Sequence, residues 1–160
     1  MVVVLILHSI LRWVVIAVAL VALGALWLRW RRGLPYDPGA RRWSAAFAGL
    51  MDLQVLVGVV FFVWNGALIP NGFALRHRWE HLAVMLVAVV LAHLPALWKK
   101  RPDAIRYRNG LIAIGLSLLL IVLGISALPG DRWWTITGLA FVAPLLASIR
   151  YSREGRRLQG

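Results

Sequence analysis

Few side chains in this sequence can do chemistry, and most of them lie inside or beside apolar runs. Ionisable groups in such surroundings are costly and default to a functional hypothesis. His77, Glu80 and His81 fall within one helical turn at the head of the stretch HRWEHLAVMLVAVVLAHLPALWKK, His77 to Lys100. Eleven apolar residues, Leu82 to Ala92, separate them from His93, and a basic cluster closes the stretch. His8 and Arg12 stand four residues apart, on one face of a helix. Asp52 and Gln54 interrupt a further apolar run.

Three chemistries fit these types and spacings. His8 and His81, on separate segments, can supply the two axial nitrogens of a six-coordinate haem b, with the ring slotted between helices. Arg12 would then face a propionate, with Arg76 and Arg78 as further cations, and Gly58 and Ala83 would leave room. Glu80 would orient an imidazole or relay protons. The same side chains also suit plain interfacial polarity, hydrogen-bonded to Glu80 and lipid headgroups. His77, Glu80 and His81 fit H-x-x-E-H, in which two histidines share zinc and the glutamate polarises water. Only His8 offers a further ligand. Met51, Met85, Phe61 and Phe62 are expected to serve packing. No Gly-rich phosphate loop and no G-x-S-x-G nucleophile occur, so no independent catalytic activity is expected.

The elements that must position these groups are membrane spans. The chain has 160 residues, one domain's worth, of which 61% are hydrophobic, and its mean hydropathy is +0.78. This composition is far from that of a soluble globular domain. The net charge of +12 would point to nucleic acid in a soluble protein. Here the cations lie between spans, which argues against a nucleic-acid partner. Cysteine is absent, which removes disulfides, thiolate-held iron–sulfur clusters and cysteine nucleophiles.

Val2 to Leu28 is the first expected span. Nothing basic precedes it, as a cleaved secretory signal would require, so it is expected to be retained. A loop from Arg29 to Arg42 holds five arginines. Trp43 to Trp64 is the second span, Asn65 to Leu75 a turn region, and the third span runs to about Trp98. Lys99 to Arg108 is a second loop with five cations. Asn109 to Leu128 is the fourth span. After Pro129-Gly130-Asp131, Trp133 to Ile149 is a short fifth candidate, and a basic tail follows. The expected fold is an all-α membrane bundle. A four-helix core covers residues 1–130, and residues 131–160 add a short fifth transmembrane or interfacial helix with its tail.

Charge bias orients the spans. The two basic loops and the tail hold 5, 5 and 4 cations, against Arg76, Arg78 and Arg132 on the other side. Cytoplasmic loops collect Lys and Arg, so the N-terminus is expected outside and the C-terminus in the cytoplasm. Eight tryptophans fall near span ends, as an aromatic belt requires. Depth then follows from a rise of about 1.5 Å per residue. His8 and His81 come out at matched depth below the outer surface. His93 lies about 18 Å deeper than His81 and is turned by roughly 120°. Asp52 lies at a depth similar to His93, which predicts an Asp52–His93 pair, either a buried polar contact between helices or a proton relay.

HSILRW at 8–13, MDLQVLVG at 51–58 and WEHLAVMLVAVVLAH at 79–93 resemble small bacterial integral membrane proteins often labelled cytochrome b-like. Their pattern is His-Ser-x-x-Arg-aromatic, then (Asp or His)-Leu-Gln-x-x-x-Gly, then Glu-His followed by methionine, with a proline turn like Ala127-Leu128-Pro129 after a fourth helix. The resemblance covers about residues 5–130. It implies a four-helix core with His8, Arg12, Asp52, Gln54, Glu80 and His81 as pattern residues, and His8 and His81 as ligands of haem iron. His77 matches no position of the pattern, and the segment after Trp133 extends beyond its end.

Together these expectations describe a haem b protein of the bacterial cytoplasmic (inner) membrane. It would pass electrons near the outer face, alone or as a small subunit of a larger complex, with the lipid bilayer and a complex or homo-oligomer as partners. The alternatives are a non-catalytic accessory subunit, in which Glu80 pairs with Arg12, and a small transporter or proton conductor using Asp52, His93 and the outer cluster of His8, Arg12, Glu80 and His81.

Overall fold

The computed structural model describes residues 2–129, and the expected fifth helix and tail lie outside them. Four helices appear: α1 (Val2–Arg31), α2 (Pro38–Leu68), α3 (Arg76–His93) and α4 (Asp103–Ser126). No strand occurs among the described residues. Each of the four is long and apolar enough to cross a membrane, α3 together with the turn that continues it to Trp98. The chain is therefore a multi-pass membrane protein whose outward faces meet lipid. In hydrocarbon a backbone must satisfy its own hydrogen bonds, and helices do so within one segment.

The helices form a four-membered ring. α1 packs on α2, α2 on α3, α3 on α4 and α4 on α1, so α1 faces α3 across the diagonal. Each turns one stripe inward with alternating steps of three and four residues. On α1 it runs through His8, Arg12, Val15, Ala19, Ala22 and Leu26, and on α2 through Ala40, Ser44, Phe47, Met51, Gln54 and Gly58. On α3 it runs through His81, Met85, Ala88 and Ala92, and on α4 through Tyr107, Gly110, Ile114, Ser117, Ile121 and Gly124. This repeat is the seam of a left-handed bundle. The many Ala and Gly positions let helices approach where no hydrophobic drive acts between them. Ser117 ties two neighbours, its hydroxyl donating to the Ala88 carbonyl at 2.8 Å. Such a bond in a membrane contributes roughly 0.6 kcal/mol.

The element boundaries differ from the expected ones where capping overrides hydropathy. α2 begins at Pro38, five residues early, because Asp37 caps it and proline suits the first helical position. The Asp37 side chain accepts from the Ala40 N–H at 2.9 Å and pairs with Arg29 at 2.7 Å. α4 begins at Asp103, which accepts from the Tyr36 N–H at 3.0 Å. Tyr107 donates to the Pro35 carbonyl at 3.0 Å, and Arg106 lies over the Tyr36 ring at 4.0 Å. These contacts lock the α1–α2 connection onto the start of α4. α3 ends earlier than expected, at His93, and passes into a 3-10 turn over Leu94–Trp98. Pro95 has no N–H to continue an α-helix.

Asp37 makes the closure of this end pH-sensitive. The Ala40 N–H, and then Arg29, hold its carboxyl below the usual carboxylate range. A carboxyl whose folded pKa lies below its unfolded value of about 3.9 contributes stability that is fully present above that value. The contribution is lost as pH falls through the folded pKa. Asp37→Ala is expected to lower the thermal midpoint near neutral pH and to remove this part of the acid-dependent loss. Asp37→Asn, which can still cap, lowers it less. Thermal unfolding in detergent between about pH 3 and pH 7 checks both.

Candidate functional site

One end of the bundle is solid and the other is hollow. Where α1 ends and α2 begins, the inward stripes carry Leu26, Ala40, Phe47, Ala92 and Tyr107, all buried. Where α1 and α3 begin, the stripe positions are His8, Arg12, Gln54, Gly58, His81 and Gly124, and a cavity of about 370 Å³ opens between the four helices. This volume lies within the range of cofactor and small-molecule sites. Its walls are apolar, with Val15, Met51, Val55, Phe61, Met85 and Ile121 among them.

The structure brings His8 and His81 to this cavity from diagonal helices, and Arg12 of α1 and His77 of α3 also line it. Each imidazole is held by a different neighbour. His81 Nδ1 lies 3.0 Å from the Gly124 carbonyl oxygen. A carbonyl only accepts, so Nδ1 carries the proton and Nε2 keeps its lone pair, the arrangement typical of a metal-binding histidine. Gln54 Nε2 lies 3.2 Å from His8 Nε2 and 3.1 Å from the His8 carbonyl.

Two glycines make room for these rings. A Cβ on Gly58 would stand 2.9 Å from His8 Cε1 and 3.3 Å from Nδ1. A Cβ on Gly124 would stand 2.5 Å from the Met85 methyl and 3.7 Å from His81 Nδ1. Gly58 was legible as a small residue near the cluster. Gly124 stands out in the fourth span with Gly115, Ser117 and Ser126, and its place beside His81 comes from the structure. Gln54 was visible as a pattern residue without a role, and its role as the partner of His8 comes from the structure.

Other expected groups fall elsewhere. Glu80 is not on the cavity wall: it is half-exposed and pairs with Arg76 one turn away. A single residue step, about 100° of helix, separates inward His81 from outward Glu80, which pairs with Arg76 and not with the imidazoles or Arg12. The zinc reading loses its water-polarising glutamate for the same reason. Among the described residues, no group of three or more His, Asp or Glu side chains is placed to hold a metal ion. Arg78 borders the cavity, but its guanidinium donates to the Gly72 and Phe62 carbonyls at 2.8 and 2.9 Å and lies over the Phe62 ring. It staples the α2–α3 turn to α3. Arg12 is the buried cation at the site, its guanidinium 5.4 Å from the Trp13 ring centre. Met51 and Met85 line the cavity and are also buried in the core, so both packing and the site use them.

Asp52 and His93 do meet, Oδ1 to Nε2 at 2.8 Å. They are not buried: their side chains are 53% and 50% exposed on the outer wall between α2 and α3. Asp52 follows Met51 on the helix and so points away from the inward stripe.

No protein-family model, curated protein or solved structure matches this chain.

The two kinds of glycine on α2 give a paired prediction. Gly58→Ala pushes a methyl into the His8 ring and is expected to destabilise by on the order of 1–3 kcal/mol. At Gly49 an added Cβ meets nothing within 4 Å. Gly49→Ala is therefore expected to be neutral or to stabilise by up to about 1 kcal/mol. Unfolding of the two variants in the same detergent checks the contrast.

Proposed function

We propose that this chain is a haem b-binding membrane protein that takes part in electron transfer. The observation that carries the reading is the cavity itself, with an imidazole entering it from each of two diagonal helices. The residues present fit the group. Gly58 leaves the room that the His8 ring takes at the cavity edge, and Gln54 Oε1 is buried beside the cavity without a hydrogen-bond partner among the described residues. Unsatisfied buried polar atoms beside a cavity are expected where a ligand belongs.

In this reading haem iron supplies one-electron exchange, and the chain supplies everything else. His81 offers Nε2, its ring fixed by the Gly124 carbonyl. His8 offers the second imidazole, from the helix across the diagonal. Arg12 places a positive charge beside the cavity, where propionate carboxylates need one. Val15, Val55, Phe61 and Ile121 give the ring an apolar lining. The short motifs shared with cytochrome b-like membrane proteins support the same reading, since His8, Arg12, Gln54 and His81 all come to one cavity. Charge bias places that cavity toward the outer face of a bacterial inner membrane, and the chain acts there alone or within a larger complex.

The test is optical. Purified protein, reconstituted with haem, should give a reduced-minus-oxidised spectrum with a b-type Soret and α band. His8→Ala and His81→Ala should each abolish the six-coordinate spectrum. A folded, colourless preparation that takes up no haem would overturn the reading.

The Asp52–His93 contact favours a second reading, a proton-handling role at membrane depth. Proton flux into liposomes should then fall at least tenfold in Asp52→Asn and in His93→Ala. Flux indifferent to both removes it.

A further inference from the structure

The two imidazoles of the cavity are not equivalent, and the difference comes from Gln54. Its side chain crosses the α1–α2 seam and spends its amide nitrogen on one residue, 3.2 Å from His8 Nε2 and 3.1 Å from the His8 carbonyl oxygen. Chemistry fixes which way the amide points. A backbone carbonyl can only accept, so the atom beside it must be the NH2 group; turning the amide over would set two oxygens against each other. The NH2 carries two protons, one for each neighbour. The second proton needs a lone pair on His8 Nε2, so a neutral His8 carries its own proton on Nδ1. Two further observations agree. Nδ1 faces Gly58 and has no hydrogen-bond partner among the described residues, and Gln54 Oε1 is also left without one. An amide in the opposite orientation would have offered that oxygen to the ring.

His81 is the contrast. Its Nδ1 bonds the Gly124 carbonyl, and its Nε2 makes no hydrogen bond among the described residues. Both histidines thus carry the proton on Nδ1, but only one has a free Nε2.

We infer that Gln54 is a positioning residue that fixes His8 as its Nδ1–H tautomer and covers the Nε2 lone pair, leaving His81 as the imidazole open to a ligand. The tautomer assignment stands on the hydrogen bonds alone; its consequence for loading rests on the haem reading. In that reading His81 binds as it stands. His8 uses Nε2 only after the Gln54 amide has let go of the ring, and the amide keeps its bond to the His8 carbonyl. Releasing one neutral hydrogen bond of this kind weakens ligand binding by roughly five- to tenfold.

The experiment uses the full chain, free of haem, in nanodiscs, with 15N-labelled histidine. Ring nitrogens that carry a proton resonate apart from those that do not, and His8→Ala assigns the His8 signals. The parent protein should show His8 with Nδ1 protonated and Nε2 bare. Gln54→Glu, whose carboxylate only accepts, should move the proton to Nε2. Gln54→Leu should remove the preference. The His81 signals should stay unchanged in both variants, which also reports that the cavity has folded. A parent His8 protonated on Nε2, or a tautomer indifferent to both substitutions, overturns the proposal. In haem titrations Gln54→Leu should bind about five- to tenfold tighter than the parent; weaker binding would show that Gln54 assists His8 and does not cover it. The nitrogen spectra need no haem. A protein that binds none therefore overturns the function proposed above, while those spectra still decide the tautomer.

Discussion

A polar group inside a membrane bundle must find its partner within the chain, and this constraint organises the molecule. His8 meets Gln54, His81 meets the Gly124 carbonyl, and Ser117 meets the Ala88 carbonyl. Each contact joins two neighbouring helices, and together they link α1 to α2 and α3 to α4. The hydrocarbon offers no alternative partner, so each bond helps select a register between helices that apolar contacts alone leave loosely specified. The constraint also explains why chemistry gathers on the inward stripes. A side chain such as His8 or Gln54 is tolerated only where another helix can answer it.

The division between a solid end and a hollow end follows from what occupies equivalent stripe positions. At the solid end Phe47, Leu26 and Tyr107 fill the axis, and small residues such as Ala40, Ala88 and Ala92 let the helices close around them. Tyr107 and Asp103 then bind the α1–α2 connection down onto α4. At the hollow end the same stripes carry glycine, imidazole and guanidinium. The helices are held apart by side chains that reach sideways to partners and leave the axis open.

Asp52 and His93 show how much one residue of helical phase decides. Met51 and Asp52 are adjacent, yet one lines the cavity and the other faces outward. Glu80 and His81 divide in the same way. Asp52 and His93 meet at matched depth, while His8 and His81 both line the cavity from diagonal helices. Depth did not say which groups share a cavity, because depth fixes height along the bundle and phase fixes direction.

The amino-acid sequence by itself determined that the chain is helical and membrane-spanning, with four described spans in their order. It also set the height of each polar group. These follow from the length of apolar runs and a constant rise per residue, which need no knowledge of neighbours. Its short motifs singled out His8, Arg12, Asp52, Gln54, Glu80 and His81, of which Asp52 and Glu80 do not line the cavity. The direction in which each side chain points was hidden, because the lipid-facing side of such a helix is as apolar as its core side and the three-four stripe leaves no contrast in hydropathy. Helix starts at Pro38 and Asp103 were hidden for another reason: capping by Asp37 and the tie to Tyr36 are local polar contacts that a hydropathy pattern does not weigh. Only the tertiary structure decided that Glu80 turns away, that Asp52 and His93 lie on the outer wall, and that Gln54 and Gly124 hold the two imidazoles. Each of these depends on which helix stands beside which, and contact between residues 43 or 46 positions apart exists only once the four helices have closed into a ring.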